Sequence, residues 1–420
     1  MLAALVNAFR VPDLRKKILY TAFLLLIYRL GSFVPVPGVD AAKVVGEFHK
    51  AAGASGAGLL SMLDMFAGGA LSRMTVFACN VGPYITASIV IELLAVVIPA
   101  LEALKKEGPD GQKKMGQYTR YLAVALAVIQ AYGYTVMFRG AVNPGAMWTI
   151  LIVTTMTAGT AFVIWLGEKI SEKGIGNGIS LIIFAGIVTR FPAAVEQGFK
   201  MIKSGGFNLV IALVYAVLSL GLVIAVVATS EAQRKLPVQY PKRVVGRRVY
   251  GGQSTHIPMK LNQAGVIPVI FASSVLAFPA TIAQFIPAIT AGVNRVFYNP
   301  WVYNVLYAIL VIVFTYFYTG ITFNPVEVAD NMKKYGGFIP GFRPGRPTAE
   351  YLDRVLTRLT LVGALFLMVI ALLPSITSAI TSKSLSFGGT GVLIVVGVAL
   401  DTMKQIEAQL IMRQYEGFLK

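Results

Sequence analysis

Ten stretches of mainly apolar residues, each about as long as a bilayer is thick, constrain this chain more than any other feature. A hydrocarbon core of about 30 Å takes ~20 residues of α-helix, and a helix satisfies its own backbone hydrogen bonds where no water can. The stretches lie near 18–34, 74–98, 119–138, 148–168, 179–195, 207–229, 262–286, 302–323, 356–374 and 390–411. Hydrophobic residues make up 56% of the 420 and charged ones only 13%, about half the share of a soluble domain. The predicted fold is therefore an all-α polytopic membrane protein of about ten transmembrane helices. Residues 15–17 are basic and precede an apolar run, as in a signal peptide, but the run continues to Val34 without a small-residue cleavage site. It reads as a retained first span.

Charge orients the spans. The formal net charge is +18, and the question is where it sits. If both termini are cytoplasmic, 27 of the 37 Lys and Arg fall in or beside cytoplasmic segments, nine fall outside, and Arg29 lies within span one. A bias that alternates loop by loop is the signature of the positive-inside rule. The basicity is thus largely topological, which argues against nucleic acid as the direct ligand. Two cytoplasmic loops are larger than topology needs. Residues 230–261 hold Arg234, Lys235, Lys242, Arg243, Arg247 and Arg248; residues 324–355 hold Lys333, Lys334, Arg343, Arg346 and Arg354. They read either as solvated loops near anionic lipid or as a docking surface for a large, partly anionic partner.

The first external loop contains GAGLLSMLDMFAGGALS at 56–72, apolar and rich in small residues but too short to span. It reads as a short helix dipping back toward the protein, with Gly68 and Gly69 breaking it from span two.

Few groups inside the spans could do chemistry. Arg29 is expected to snorkel to the external interface. Glu92 is mid-span and ionisable, hence a functional suspect, though a single carboxylate suits a polar contact between helices better than a relay. Gln130, Asn262, Gln263, Ser273 and Ser274 are its candidate partners. The lone cysteine, Cys79, reads as a packing residue, and His49 and His256 are too far apart for a His-based metal site. HExxH, GxSxG and GxxxxGK[ST] are absent from the sequence. GIGNG at 174–178 reads as a turn, with Asn177 capping span five. Small and hydroxylated residues such as Asn80, Thr86, Ser88, Thr154, Thr155, Thr157, Gly159 and Thr160 fit helix packing or the lining of a water-filled cavity. The residues alone lead to a channel or transporter with large docking loops and no cofactor. A secondary transporter would need a charged midplane site, for which only Glu92 is on offer. An intramembrane enzyme lacks a catalytic group, and a structural anchor leaves the 56–72 segment and the loops unexplained.

Five long motifs go further: GSFVPVPGVD after span one, MFAGGALSRMTVFACNVGPYITASIVIELL into span two, EKGIGNGISLIIFAGIV into span five, GRRVYGGQSTHIPMKLNQAGVIPVIFASS into span seven and FNPVEVADNMKKYGGFIPGFRPG after span eight. Together they resemble the bacterial branch of the SecY family, over about residue 5 to the C-terminus. The resemblance implies a conduit for unfolded secretory chains, not an enzyme, in a bacterial inner membrane with both termini cytoplasmic. It implies two pseudo-symmetric halves, 1–200 and 201–420, with a lateral gate between spans two and seven that releases signal sequences and transmembrane segments sideways. By motif, the plug falls on 56–72 with Leu59, Leu60, Met62, Leu63, Met65, Phe66, Gly68 and Gly69. The pore ring falls on Val81, Ile85, Ile183, Ile267, Ile270 and Ala399, where the family usually has a larger aliphatic than Ala399. The gate residues implied are Glu92, Gln130, Ser273 and Ser274. The docking residues implied are Arg243, Arg247, Arg248, Lys333, Lys334 and Arg343, facing the SecA ATPase and the ribosome. The implied partners extend to SecE, SecG, SecDF, YidC, anionic lipid and a second copy of the chain.

Overall fold

The computed structural model describes residue 9 and residues 11–54, 64–203, 209–240, 243–245, 248–250, 254–283, 299–380 and 389–418. Fourteen helices are named among them: α1 (Pro12–Gly31), α2 (Ala41–Ala54), α3 (Gly82–Val97), α4 (Pro99–Lys106), α5 (Pro109–Met137), α6 (Ala146–Lys173), α7 (Gly178–Val188), α8 (Phe191–Lys203), α9 (Leu209–Glu231), α10 (Ile267–Ala283), α11 (Pro300–Thr322), α12 (Pro325–Lys334), α13 (Arg346–Ile380) and α14 (Gly389–Phe418). Four strands lie between α9 and α10: β1 (Gln233–Gln239), β2 (Arg243–Val245), β3 (Arg248–Tyr250) and β4 (Ser254–Lys260).

A helix lies over each of the ten expected spans. Among the described residues three stretches, Ala146–Lys173, Trp301–Lys334 and Arg346–Leu373, are long and apolar enough to cross a bilayer by themselves. The bent pair α3 and α4 passes the same test together, with a turn of 102° between its two parts. Pro99 at the start of α4 explains the turn, since a residue before proline is pushed out of the helical region; Ile98 is extended at φ −98°, ψ 112°.

Several boundaries differ from expectation. Span two begins at Gly82, not near 74, because Met74 and Asn80 adopt left-handed backbone (φ 47° and 48°) and the intervening residues form turns. Span one ends at Gly31. Span five ends at Val188 and the chain turns at 189–190 before α8. The loop between spans one and two also contains α2, started by Asp40, whose Oδ1 accepts from the backbone N–H of Lys43 (3.3 Å) and Ala42 (3.1 Å). Those bonds, led by that from Lys43, hold the Asp40 carboxyl below its usual range. Asn177 caps α7 as expected, its Oδ1 accepting from Ser180 N–H at 3.2 Å.

The chain forms two compact units. The first holds Met1–Val214, Ser273–Asn304 and Ile394–Lys420; the second holds Tyr215–Ala272 and Val305–Leu393. In the first unit α3 packs on α5, α5 on α6, α6 on α7, and α1 on both α6 and α7. Buried Cys79 belongs to a core cluster with Leu71, Met74, Phe138, Ile152 and Met156. In the second unit, the loop expected at 230–261 contains two pairs of strands among its described residues. β1 pairs antiparallel with β4 from Gln233–Lys260 to Gln239–Ser254, and β2 pairs with β3. The pleat sends Leu236 and Val238 to one side, where they pack with Met259, Met332, Ile339, Leu352, Val355 and Leu356.

Candidate functional site

In the first unit, the segment from Asp64 to Val81 is folded against α1, α6 and α7, among other helices. It opens with a helical turn at 64–66 and ends where Val81 leads into α3. Gly68 and Gly69 follow the turn at φ 63° and 86°, a backbone that glycine adopts without a Cβ penalty. The turn closes with Gly68 N–H on Met65 O (3.1 Å) and Gly69 N–H on Asp64 O (2.9 Å).

Burial here is close enough that single atoms decide it. A Cβ built on Gly186 of α7 would lie 2.8 Å from Phe66 O and 3.3 Å from Gly68 N, and one on Gly68 would lie 3.0 Å from Gly186 Cα. The two backbones therefore touch. Asn80 Nδ2 donates to Phe66 O at 2.7 Å, tying the start of the segment to its end. Arg29 donates to Gly68 O at 3.3 Å and lies over the Phe33 ring at 4.5 Å. The guanidinium is half-buried and turns onto the segment, where a carbonyl and a ring face satisfy it. Asp64, 1% exposed, pairs with Arg190 at 2.5 Å, just past the end of α7, and accepts from Ser72 N–H at 2.8 Å.

The far side of the segment is fixed by the extended stretch after α1. Val36 N–H donates to Met74 O (3.3 Å) and Val76 N–H to Val34 O (3.0 Å). Beyond it, Asn143 N–H donates to Gly38 O at 3.0 Å. GSFVPVPGVD is thus a short edge against which the segment is paired.

The other expected site residues are distributed as follows. Met65, Phe66, Gly68 and Gly69 lie in the segment; Leu59, Leu60, Met62 and Leu63 lie outside the described residues. Val81 and Ile183 are buried, at 1% and 3% exposure. Val81 precedes α3, and its carbonyl accepts from Ile85 N–H at 3.0 Å, so both share the first turn. Ile85 and Ala399 are half-buried. Val81, Ile85, Ile183 and Ala399 belong to the first unit, Ile267 and Ile270 at the start of α10 to the second. Glu92 is half-buried in α3, and its Oε2 has no hydrogen-bond partner among the described residues. None of Gln130, Ser273 and Ser274 is fully exposed, and Gln130 Oε1 would lie 3.8 Å from a Cβ on Gly82. Lys333, Lys334 and Arg343 are exposed. Arg243 and Arg248 stand on the β2–β3 ribbon, while Arg247 lies outside the described residues. Sequence reasoning missed Arg190 and Asn80 as parts of the site. The left-handed tolerance of asparagine was the one signal for Asn80, and nothing local marks Arg190.

A family profile for SecY matches residues 75–403. The chain belongs to the SecY family. A relative in Streptomyces galbus, named protein translocase subunit SecY, is 50% identical over the whole of both chains. Among solved structures, one in which the plug domain of the SecY protein stabilises the closed state of the translocation channel and maintains a membrane seal aligns with a TM-score of 0.65 at 19% identity, over 94% of this chain and 92% of that one. Canine Sec61 in a ribosome–channel complex from the endoplasmic reticulum aligns with a TM-score of 0.64, also at 19% identity and with the same coverage. This SecY family member is accordingly an all-α polytopic membrane protein and a channel-forming translocase subunit rather than an enzyme. The β1–β4 strands are an addition that the all-α expectation lacked.

Proposed function

We propose that this chain is the pore of a bacterial protein translocase, closed at rest by the segment at 56–72 acting as a plug. The observation that carries the reading is the fold of residues 64–72 onto α1 and α7 through Arg29, Gly186 and Arg190. A short segment held by a few specific contacts, and not continuous with the helix that follows, is suited to leave and return. Unfolded secretory chains pass through, and signal sequences and membrane helices leave sideways between α3 and α10, near Glu92, Gln130, Ser273 and Ser274. Val81, Ile85, Ile183, Ile267, Ile270 and Ala399 form the apolar constriction. Such a ring dewets a narrow pore and bars ions, and it parts for an extended polypeptide without specific bonds. The spans divide into halves at 1–200 and 201–420.

The chain sits in the inner membrane with both termini cytoplasmic. Exposed Lys333, Lys334 and Arg343, with Arg243, Arg247 and Arg248, dock the ribosome and the SecA ATPase; guanidinium forks suit RNA phosphates and carboxylates alike. SecE, SecG, SecDF, YidC, anionic lipid and a second copy complete the set of partners. Deleting residues 57–67 tests the plug. The reconstituted complex is expected to leak ions at rest, and unchanged conductance in planar bilayers would remove the assignment.

A further inference from the structure

We infer that Asp64 and Arg190 form an electrostatic latch that holds the plug shut, with Arg190 as the residue that positions it. The inference rests on the plug reading above. Asp64 is the one charged residue between positions 56 and 72, and it is 1% exposed. Both of its oxygens are engaged: Oδ2 with Arg190 Nη2 at 2.5 Å, and Oδ1 with the backbone N–H of Ser72 at 2.8 Å. Its own carbonyl accepts from Gly69 N–H. Asp64 thus ties the plug turn to itself and to a residue just past the end of α7. The partners are unequally placed, since the Arg190 side chain is 38% exposed and keeps access to solvent.

That asymmetry has consequences. Any outward movement of the turn separates a buried carboxylate from its only cationic ion-pair partner among the described residues. In the closed position a carboxylate without that partner would be penalised far more than one in water, so the pair is what lets Asp64 stay buried there. Opening must therefore extract Asp64 from Arg190, and the free energy for this comes from whatever displaces the plug. Two further side-chain hydrogen bonds onto the turn, Arg29 to Gly68 O and Asn80 to Phe66 O, are to backbone carbonyls. They act whatever side chains the turn carries, whereas the latch depends on two.

The asymmetry also orders the variants. Arg190→Gln strands the buried carboxylate and should favour departure of the turn. Asp64→Asn leaves Arg190 half-solvated and keeps an oxygen for Ser72 N–H, so it should be milder. The double variant removes the stranded charge and should return to the Asp64→Asn level, a coupling that additive effects cannot give.

The test measures resting ion conductance of the reconstituted complex for wild type, the three variants and the deletion of 57–67. The expected order is wild type, then Asp64→Asn and the double variant together, then Arg190→Gln at least tenfold above wild type, then the deletion. If the deletion leaks and Arg190→Gln does not, the latch is overturned while the plug stands. If the double variant leaks as much as Arg190→Gln, the two residues are not coupled and the latch is overturned. If the deletion itself does not leak, the plug reading falls and takes the latch with it.

Discussion

Asn80 shows how much one side chain can carry. It is 3% exposed, sits at φ 48°, and spans the segment with a 2.7 Å bond to Phe66 O. A net hydrogen bond is worth about 1 kcal/mol, and left-handed backbone costs an ordinary L-residue about another 1 kcal/mol. Asn80→Ala forfeits both, while Asn80→Gly forfeits mainly the bond. The unfolding midpoint of the detergent-solubilised protein should therefore fall further for alanine than for glycine. Equal midpoints would mean that backbone strain plays no part. Conformational reasoning of this kind is available from a sequence only once the position is known to be a turn, and 74–81 reads as apolar span.

At the scale of elements, the β1–β4 pair is where tertiary context overruled composition. QRKLPVQ and STHIPMK carry proline and charge, which is weak strand chemistry. They pair because Leu236, Val238 and Met259 share a face that Met332 of α12 and Leu352, Val355 and Leu356 of α13 cover. Charged and polar residues fill the opposite face, so the loop reads as solvated when its partner is unseen. Leu236 is 2% exposed, and Leu236→Ala should cost about 2–5 kcal/mol. Limited proteolysis should then cut the 233–260 region faster than in wild type, with the membrane-embedded helices unaffected. Uniform acceleration across the chain would contradict a separate core around Leu236. The helices themselves were legible, since a run of about twenty apolar residues has few alternatives in lipid. Their ends were not, because Pro99, Met74 and Asn80 act on backbone angles that hydropathy does not see.

For the whole molecule, orientation is the open quantity with the most direct measurement. The single native cysteine, Cys79, is buried, so introduced cysteines can be read against a low background. Asp110 at the start of α5 and Asn143 before α6 are both exposed. With cytoplasmic termini, Asp110→Cys should react with an impermeant thiol reagent only from the cytoplasmic side and Asn143→Cys only from outside. The reverse pattern would invert the topology, and labelling of both from one side would remove the α5 span.

The sequence by itself determined the medium and the apolar stretches over which helices form, because each follows from transfer energies that are summed locally along the chain. It also carried the family, through motifs long enough to need no structure. Only the tertiary structure decided what closes over the segment at 64–81. Arg29 lies 35 residues from Asp64 in sequence and Arg190 lies 126 away, and no local pattern links them. Their meeting depends on glycines at 68 and 186 that let two backbones touch. A contact of that kind is set by the packing of α1 and α7, and it exists only once both helices are in place.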